Sequence, residues 1–296
     1  MEKRELGKTG LHVTVLGFGG AELGYARAEV KVVESVLGAA LDAGLNVIDT
    51  AECYGSGEET VGHAVSHRRK EFYLFTKCGH ASGIDLPDWD VSLLQQSIDR
   101  SLSRLKTDYI DVLQLHSCTE EMLRKGEVVE VLNRAKDAGK TRFIGYSGDG
   151  AAARYAVESG AFDTLQTSIN LADQQVLEET LPLAYEKGIG VIVKRPIANA
   201  VWKHETKPDN DYVVSYWERL QSLAYDFLKG EDDVEMALRF TLSFPGVSTA
   251  IVGTGKPGRW VENAEFVRKG NLSDAQIGTI RARWKEVAGE DWVGQV

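Results

Sequence analysis

An acid that closes an apolar run and a phenol five residues later are the first candidates for chemistry in this chain. In Asn46-Val47-Ile48-Asp49-Thr50-Ala51-Glu52-Cys53-Tyr54-Gly55, Asp49 ends the apolar pair Val47-Ile48, and Tyr54 stands at the Gly55-Ser56-Gly57 turn. Two further groups end apolar runs in the same way, Lys77 after Phe72 and His116 after Tyr109. A tyrosine with its ordinary pKa of about 10 is a reluctant acid at neutral pH. A neighbouring ammonium stabilises the phenolate, which assigns that task to Lys77, with Asp49 holding Lys77 oriented. His116 can hydrogen-bond a substrate carbonyl and stabilise the oxyanion that develops there. Together the four suit hydride delivery to carbon and proton delivery to oxygen. Each also has a bland reading: Asp49 and Lys77 as a structural ion pair, His116 as a satisfied core histidine, Tyr54 as a loop aromatic.

The elements that must position them alternate. Strands are expected over 13–19, 46–49, 72–77, 109–116, 142–147, 164–168, 190–193 and 248–252, after a polar stretch at 4–9 that reads as a short hairpin. Helical spacing runs through Val33, Val36, Leu37, Ala40 and Leu41 up to Gly44. Ser56 and Glu59 read as a capping box for a helix to His67, and Asp90 caps one carrying Leu94, Ile98, Leu102 and Leu105. Further helices fit 121–138, 151–158, 177–186 and 234–242, the last capped by Asp233, and Pro257 opens another. Eight strand-helix units with apolar strands predict an α/β fold, a (β/α)8 barrel forming one domain over 1–296. The competing open, doubly wound sheet is disfavoured because Gly17-Phe18-Gly19-Gly20-Ala21-Glu22 fails the G-x-G-x-x-G pattern. Two additions stand outside the repeat: a long, aromatic-rich segment after strand seven (197–230), and a C-terminal helix capped by Ser273 and Gln276.

Composition excludes several classes. A net charge of −10 without a basic run argues against nucleic acid and anionic membrane partners. No apolar run approaches the ~20 residues of a membrane helix, and Met1-Glu2-Lys3-Arg4-Glu5 leads into no signal-peptide core. Cys53, Cys78 and Cys118 cannot all pair, which fits a cytoplasmic setting. They show no CxxC or Cys/His ligand spacing, and the histidines no H-x-H at a strand end, so no metal site is expected.

Barrels often hold phosphate after strands seven and eight, and the loop Gly253-Thr254-Gly255-Lys256-Pro257-Gly258-Arg259 offers amides and cations for that. A capped helix with solvated basic residues fits the same letters.

Asp49-Thr-Ala-Glu-Cys-Tyr54-Gly, Thr76-Lys77, Leu113-Gln-Leu-His116 and Arg142-Phe-Ile-Gly-Tyr-Ser147 resemble, in order and spacing, the signature segments of the aldo-keto reductase superfamily. The resemblance runs from about Arg4 to Val267. It implies NADP-dependent reduction of aldehydes or ketones, with Asp49, Tyr54, Lys77 and His116 as catalytic tetrad and Tyr54 as proton donor. It further implies NADP(H) contacts from Gly253, Thr254, Gly255, Lys256, Arg259, Glu262 and Asn263, and nicotinamide contacts from Ser147 and Gln166. Gly19, Gly20 and Pro196 are counted with them, and Asn170 is read as a loop cap as readily as a contact. Two departures stand out. Gly148 replaces the asparagine that usually follows the serine, and Lys194 replaces the aromatic that stacks on the nicotinamide. Lys194 methylenes can cover that ring, and Arg195 can grip the pyrophosphate. Some relatives act instead as weakly catalytic, NADP(H)-binding regulatory or interaction subunits. The substrate is expected to be a small carbonyl compound, with Phe18, Trp89, Trp202, Tyr212 and Trp217 as pocket walls or loop packing. A homo-oligomer is compatible with the sequence.

Overall fold

The computed structural model describes residues 1–295. A two-stranded antiparallel hairpin, β1 (Lys3–Glu5) and β2 (His12–Thr14), precedes a closed barrel. The barrel strands are β3 (Leu16–Gly19), β4 (Val47–Asp49), β5 (Tyr73–Cys78), β6 (Ile110–His116), β7 (Thr141–Ser147), β8 (Thr164–Ser168), β9 (Gly190–Lys194) and β10 (Val247–Val252). Each pairs in parallel with the next, and β10 returns to β3, so the (β/α)8 barrel read from the alternation is the observed fold.

Successive strand residues face opposite sides of the sheet, and this sorts the sequence into layers. Val47, Phe75, Val112, Ile192 and Ile251 point inward and form one apolar cluster with Leu6, Leu11 and Val13 of the hairpin segment, which closes the N-terminal end. Burying a side chain such as Phe75 contributes about 1.5–3 kcal/mol. Two residues further along, the inward positions become polar: Asp49, Lys77, Gln114, Ser147, Gln166 and Lys194. The intervening residues, among them Ile48, Leu74, Leu113, Leu115, Ile144 and Leu165, face the surrounding helices.

The helices form where apolar spacing meets a start signal. In Val91–Leu105 the Asp90 carboxylate accepts the amides of Ser92 (2.8 Å) and Leu93 (3.1 Å), and Leu94, Ile98 and Leu105 are buried. The C-terminal helix Asp274–Val287 carries the expected capping box of Ser273 and Gln276.

Several boundaries differ from the sequence reading. The strand expected over 13–19 divides between β2 and β3 at Val15, because the first half pairs with Lys3–Glu5 and the second with the barrel. Ser56 precedes the helix Gly57–Val65 but accepts no capping hydrogen bond through its side chain. The helix expected over 121–138 is two, Glu120–Lys125 and Glu127–Asp137, broken at Gly126 with φ +80°. The helix start near Pro257 falls at Arg259, since Gly258 at φ +85° occupies the cap position. Asp232, not Asp233, precedes the helix Asp233–Leu242. The segment after β9 folds into short turns and the helix Asp211–Leu223, whose inner face joins Trp284 and Ile280 in a second apolar cluster.

Candidate active site

Asp49, Lys77 and His116 sit at the C-terminal ends of three adjacent strands, and Tyr54 lies in the loop after β4. Lys77 Nζ is 2.5 Å from Asp49 Oδ2 and donates to the Thr50 carbonyl at 2.7 Å; both side chains are almost wholly buried. The same ammonium stands 5.1 Å from the centre of the Tyr54 ring. The His116 ring meets Tyr54 edge-on, with centroids 5.6 Å apart. A close backbone approach fixes the loop: a Cβ on Gly24 would fall 2.1 Å from the Tyr54 carbonyl oxygen, so only glycine lets the short helix Ala21–Tyr25 pack there.

The electrostatics refine the expected roles. Burial, and after it the Asp49 charge, push the Tyr54 phenol well above its usual range. The assistance expected from Lys77 therefore does not dominate, because Asp49 absorbs much of the ammonium's field. Burial, then the Lys77 and Lys194 ammoniums, hold His116 well below the usual histidine range, so the imidazole is neutral. Its Nδ1 lies 3.3 Å from Cys53 Sγ. Burial and the Glu52 charge push that thiol up to about 12, leaving it protonated. A thiol donating to Nδ1 leaves the imidazole proton on Nε2, where it can be given to a ligand.

Asp49 is also the hub of an amide network. Its Oδ1 accepts from Gln166 Nε2 at 2.8 Å and from Gln114 Nε2 at 3.4 Å, and Gln166 Oε1 accepts the Ser147 hydroxyl at 3.0 Å. Ser147 and Gln166 are thus brought together, with their donors already directed at one another and at Asp49.

Other expected site residues take partners within the protein. Lys194 makes a buried ion pair with Asp149 at 2.9 Å instead of lying free over the site. Asp149, which the sequence reading passed over, also accepts from Thr167 Oγ1 and Ser168 N, each at 2.7 Å. Arg195 donates to the Tyr212 hydroxyl (2.7 Å), to Ser168 Oγ (3.0 Å) and to the Gln295 carbonyl, and so braces the rim. The Pro196 carbonyl accepts Thr241 Oγ1 at 3.1 Å. Asn170 caps its own loop, accepting from the Ala172 and Asp173 amides at 2.8 and 2.9 Å. Gly148 has a steric cause: a Cβ there would lie 2.5 Å from the Tyr146 hydroxyl, which is fixed by donating to the Cys118 carbonyl at 2.7 Å.

Of the proposed pocket walls, Phe18 faces the helices, fully buried. Trp202 is tied to Asp233 Oδ2 at 2.7 Å and Trp217 to the His204 carbonyl at 3.1 Å, both packing the added segment. Tyr212 is 49% exposed on the rim. Trp89 meets His80 edge-on at 5.5 Å, and His80 stands 5.3 Å from His116. Tyr25, 65% exposed and 5.3 Å from Tyr54, completes the rim. Nothing in the local sequence marked Tyr25 or His80; only a guess at which loops share the mouth would have found them.

In the loop after β10, Thr254 Oγ1 accepts the Lys256 amide at 3.0 Å, and Arg259 pairs with Glu262 at 3.3 Å on the surface. The Gly19 and Gly253 backbones abut, since a Cβ on Gly253 would fall 2.7 Å from the Gly19 carbonyl oxygen. Gly20 donates its amide to the Asp49 carbonyl at 2.7 Å. Glu22 Oε1 accepts the Gly255 amide at 3.1 Å. Asn263 is buried, and its Oδ1 has no hydrogen-bond partner.

A polar layer at the C-terminal mouth of a parallel barrel, with a phenol, an ammonium and an imidazole converging in it, lies where barrels of this fold carry their active sites. The model of the aldo/keto reductase family matches residues 15–285, and the chain belongs to that family. It is 30% identical to the uncharacterized oxidoreductase YqkF of Bacillus subtilis, over 97% of each chain. It is 29% identical to L-galactose dehydrogenase of Arabidopsis thaliana, over 90% of this chain and 88% of that one. The holo form of aldo-keto reductase AKR11C1 from Bacillus halodurans superposes with a TM-score of 0.82 at 27% identity, covering 99% of both chains.

Members of this family typically bind a nicotinamide cofactor. The residues present fit one: the orphaned acceptor of Asn263 suits an amino donor, the Gly19–Gly253 contact leaves backbone bare, and Lys256 and Arg259 supply positive charge. Glu22 is discordant, because its carboxylate holds an amide of the anion loop.

Proposed function

We propose that this protein reduces an aldehyde or ketone to the alcohol with NADPH, and that it acts as one domain. The observation that carries the reading is the placement of the Lys77 ammonium, held by Asp49, 5.1 Å from the Tyr54 ring, with the His116 ring 5.6 Å from the same tyrosine. The bound nicotinamide supplies hydride, chemistry no side chain offers. Tyr54, kept protonated by burial, donates its proton to the substrate oxygen, and the Lys77 ammonium limits the cost of the phenolate left behind. His116, neutral and with its proton on Nε2, donates to the same oxygen and orients it. Gln166, Ser147 and Asn263 would hold the cofactor's amide and adenine ends, with Thr254, Lys256 and Arg259 near its phosphates; the two cations favour NADP over NAD. Trp89, His80, Tyr25 and Tyr212 form an aromatic rim that suits a small, partly apolar carbonyl compound. The free thiols support a cytoplasmic setting. Following NADPH absorbance with a panel of aldehydes tests the reading, which fails if wild type is no faster than Tyr54→Phe.

One observation favours a second reading, a cofactor-binding regulatory subunit with little turnover. Lys194 and Asp149 form a closed ion pair where the family resemblance implies an aromatic, and the donors of Ser147 and Gln166 are already engaged. Tight NADPH binding without turnover on any carbonyl in the panel would select it.

A further inference from the structure

The loop after β4 and the end of β6 bring together three side chains whose types and spacing suit a metal. One oxygen of the Glu52 carboxylate, Cys53 Sγ and a ring nitrogen of His116 all lie within 4.8 Å of one another. Cys53 Sγ is 3.3 Å from His116 Nδ1. Two ligands of a tetrahedral zinc ion, with Zn–S about 2.3 Å and Zn–N about 2.0–2.1 Å, stand roughly 3.5 Å apart, so this pair is already at chelating distance. The third donor carries an independent sign of incompleteness. Glu52 is 1% exposed; its Oε1 accepts the His80 amide at 3.0 Å, and its Oε2 is buried without any hydrogen-bond partner. A buried carboxylate oxygen left bare is the group a cation would complete.

We propose that Glu52, Cys53 and His116 form a site for a single thiophilic divalent cation, with zinc as its natural occupant. A thiolate and a carboxylate neutralise the dication, and a thiolate-imidazole-carboxylate set selects zinc over magnesium or calcium. The nearby Lys77 ammonium is matched by Asp49 and does not oppose the ion alone. On binding, the Cys53 thiol and the Glu52 carboxyl each release a proton to solvent, Zn–S and Zn–O bonds form in place of S–H and O–H, and no electron is transferred. A zinc ion held by His116 constrains the imidazole that meets Tyr54 edge-on, so zinc inhibits the reaction proposed above.

Cobalt(II) reports the site without turnover, since thiolate ligation gives a charge-transfer band in the near ultraviolet. Metal-free full-length protein titrated with cobalt should saturate that band at one equivalent, and zinc should displace it. The band should vanish in Cys53→Ser, persist in Cys118→Ser, and require at least about tenfold more cobalt in Glu52→Gln, with circular dichroism showing each variant folded. Absence of the band in wild type, or its survival in Cys53→Ser, overturns the site. The inhibition arm alone rests on the carbonyl-reductase reading: zinc should slow NADPH oxidation in wild type, and Cys53→Ser, measured against its own zinc-free rate, should need at least about tenfold more zinc. Equal zinc sensitivity in the two proteins overturns the proposal, whereas a failure of carbonyl reduction itself leaves the cobalt band to decide.

Discussion

Lys194 Nζ lies 2.9 Å from Asp149 Oδ2, and this buried pair ties the end of β9 to the loop after β7. Burial alone would raise the Asp149 carboxyl; the Lys194 ammonium, with hydrogen bonds from Ser168 and Thr167, offsets it and holds the group below the usual carboxylate range.

Breaking that pair from one side strands a buried charge. Asp149→Ala should destabilise the protein by about 3–5 kcal/mol, because it also removes the acceptor for Thr167 and Ser168. Lys194→Met, which leaves Asp149 those two donors, should cost less. Urea denaturation of the two variants measures the order, and a larger loss for Lys194→Met would contradict it.

Tyr54→Phe keeps the ring against Lys77 and His116 and removes only the acidic proton. Turnover should fall by about 10²–10⁴-fold while NADPH affinity, read by fluorescence titration, stays within about twofold. A matching loss of cofactor affinity would assign Tyr54 to binding rather than proton transfer.

Glu52 makes a prediction about pH. Burial, reinforced by the Glu58 charge and opposed by the His80 amide, pushes its carboxyl from 4.5 up to about 8. Between those values the folded chain holds a proton that the unfolded chain releases, so stability is lost as pH rises through this window. Glu52→Gln abolishes that dependence. Denaturation at pH 5.5 and pH 8 should show wild type losing on the order of a few kcal/mol more than the variant over that rise. Parallel losses in the two proteins would show that Glu52 titrates normally.

Gly148 tests whether a steric conflict explains the missing asparagine. Gly148→Ala should destabilise by about 1–3 kcal/mol, since its Cβ meets the Tyr146 ring and hydroxyl. The same substitution in a Tyr146→Leu background should cost less, and a double-mutant cycle by thermal or urea unfolding reads the difference. Additive costs would mean that the two positions do not collide.

Much of the fold and the core of the site can be read from short stretches. Val47 and Asp49, Phe75 and Lys77, and Gln114 and His116 each stand two apart, and that spacing alone puts the members of each pair on one face of a strand. The same alternation decides between the two readings of Phe18, pocket wall or packing: Gly17 is the inward residue, packed against Val47 and Ile251, and Phe18 follows it outward into the core. The capping residues were less legible. Ser56 stands at its helix start but accepts no capping hydrogen bond through its side chain, and beyond Pro257 the positive φ of Gly258 moves the helix start to Arg259.

Taken by itself, the sequence determined the number of strands, the sense of their alternation and which titratable residues end them, because strand and helix periodicity are local properties of the backbone. Only the tertiary structure decided which partner each of those residues takes. Closing the barrel brings Gln166 onto Asp49, Asp149 onto Lys194 and His116 onto Cys53 from distant parts of the chain. In a buried layer of low dielectric an unpaired polar group is costly, so each settles on whichever complementary group the ring of strands puts within reach. No local pattern encodes that choice.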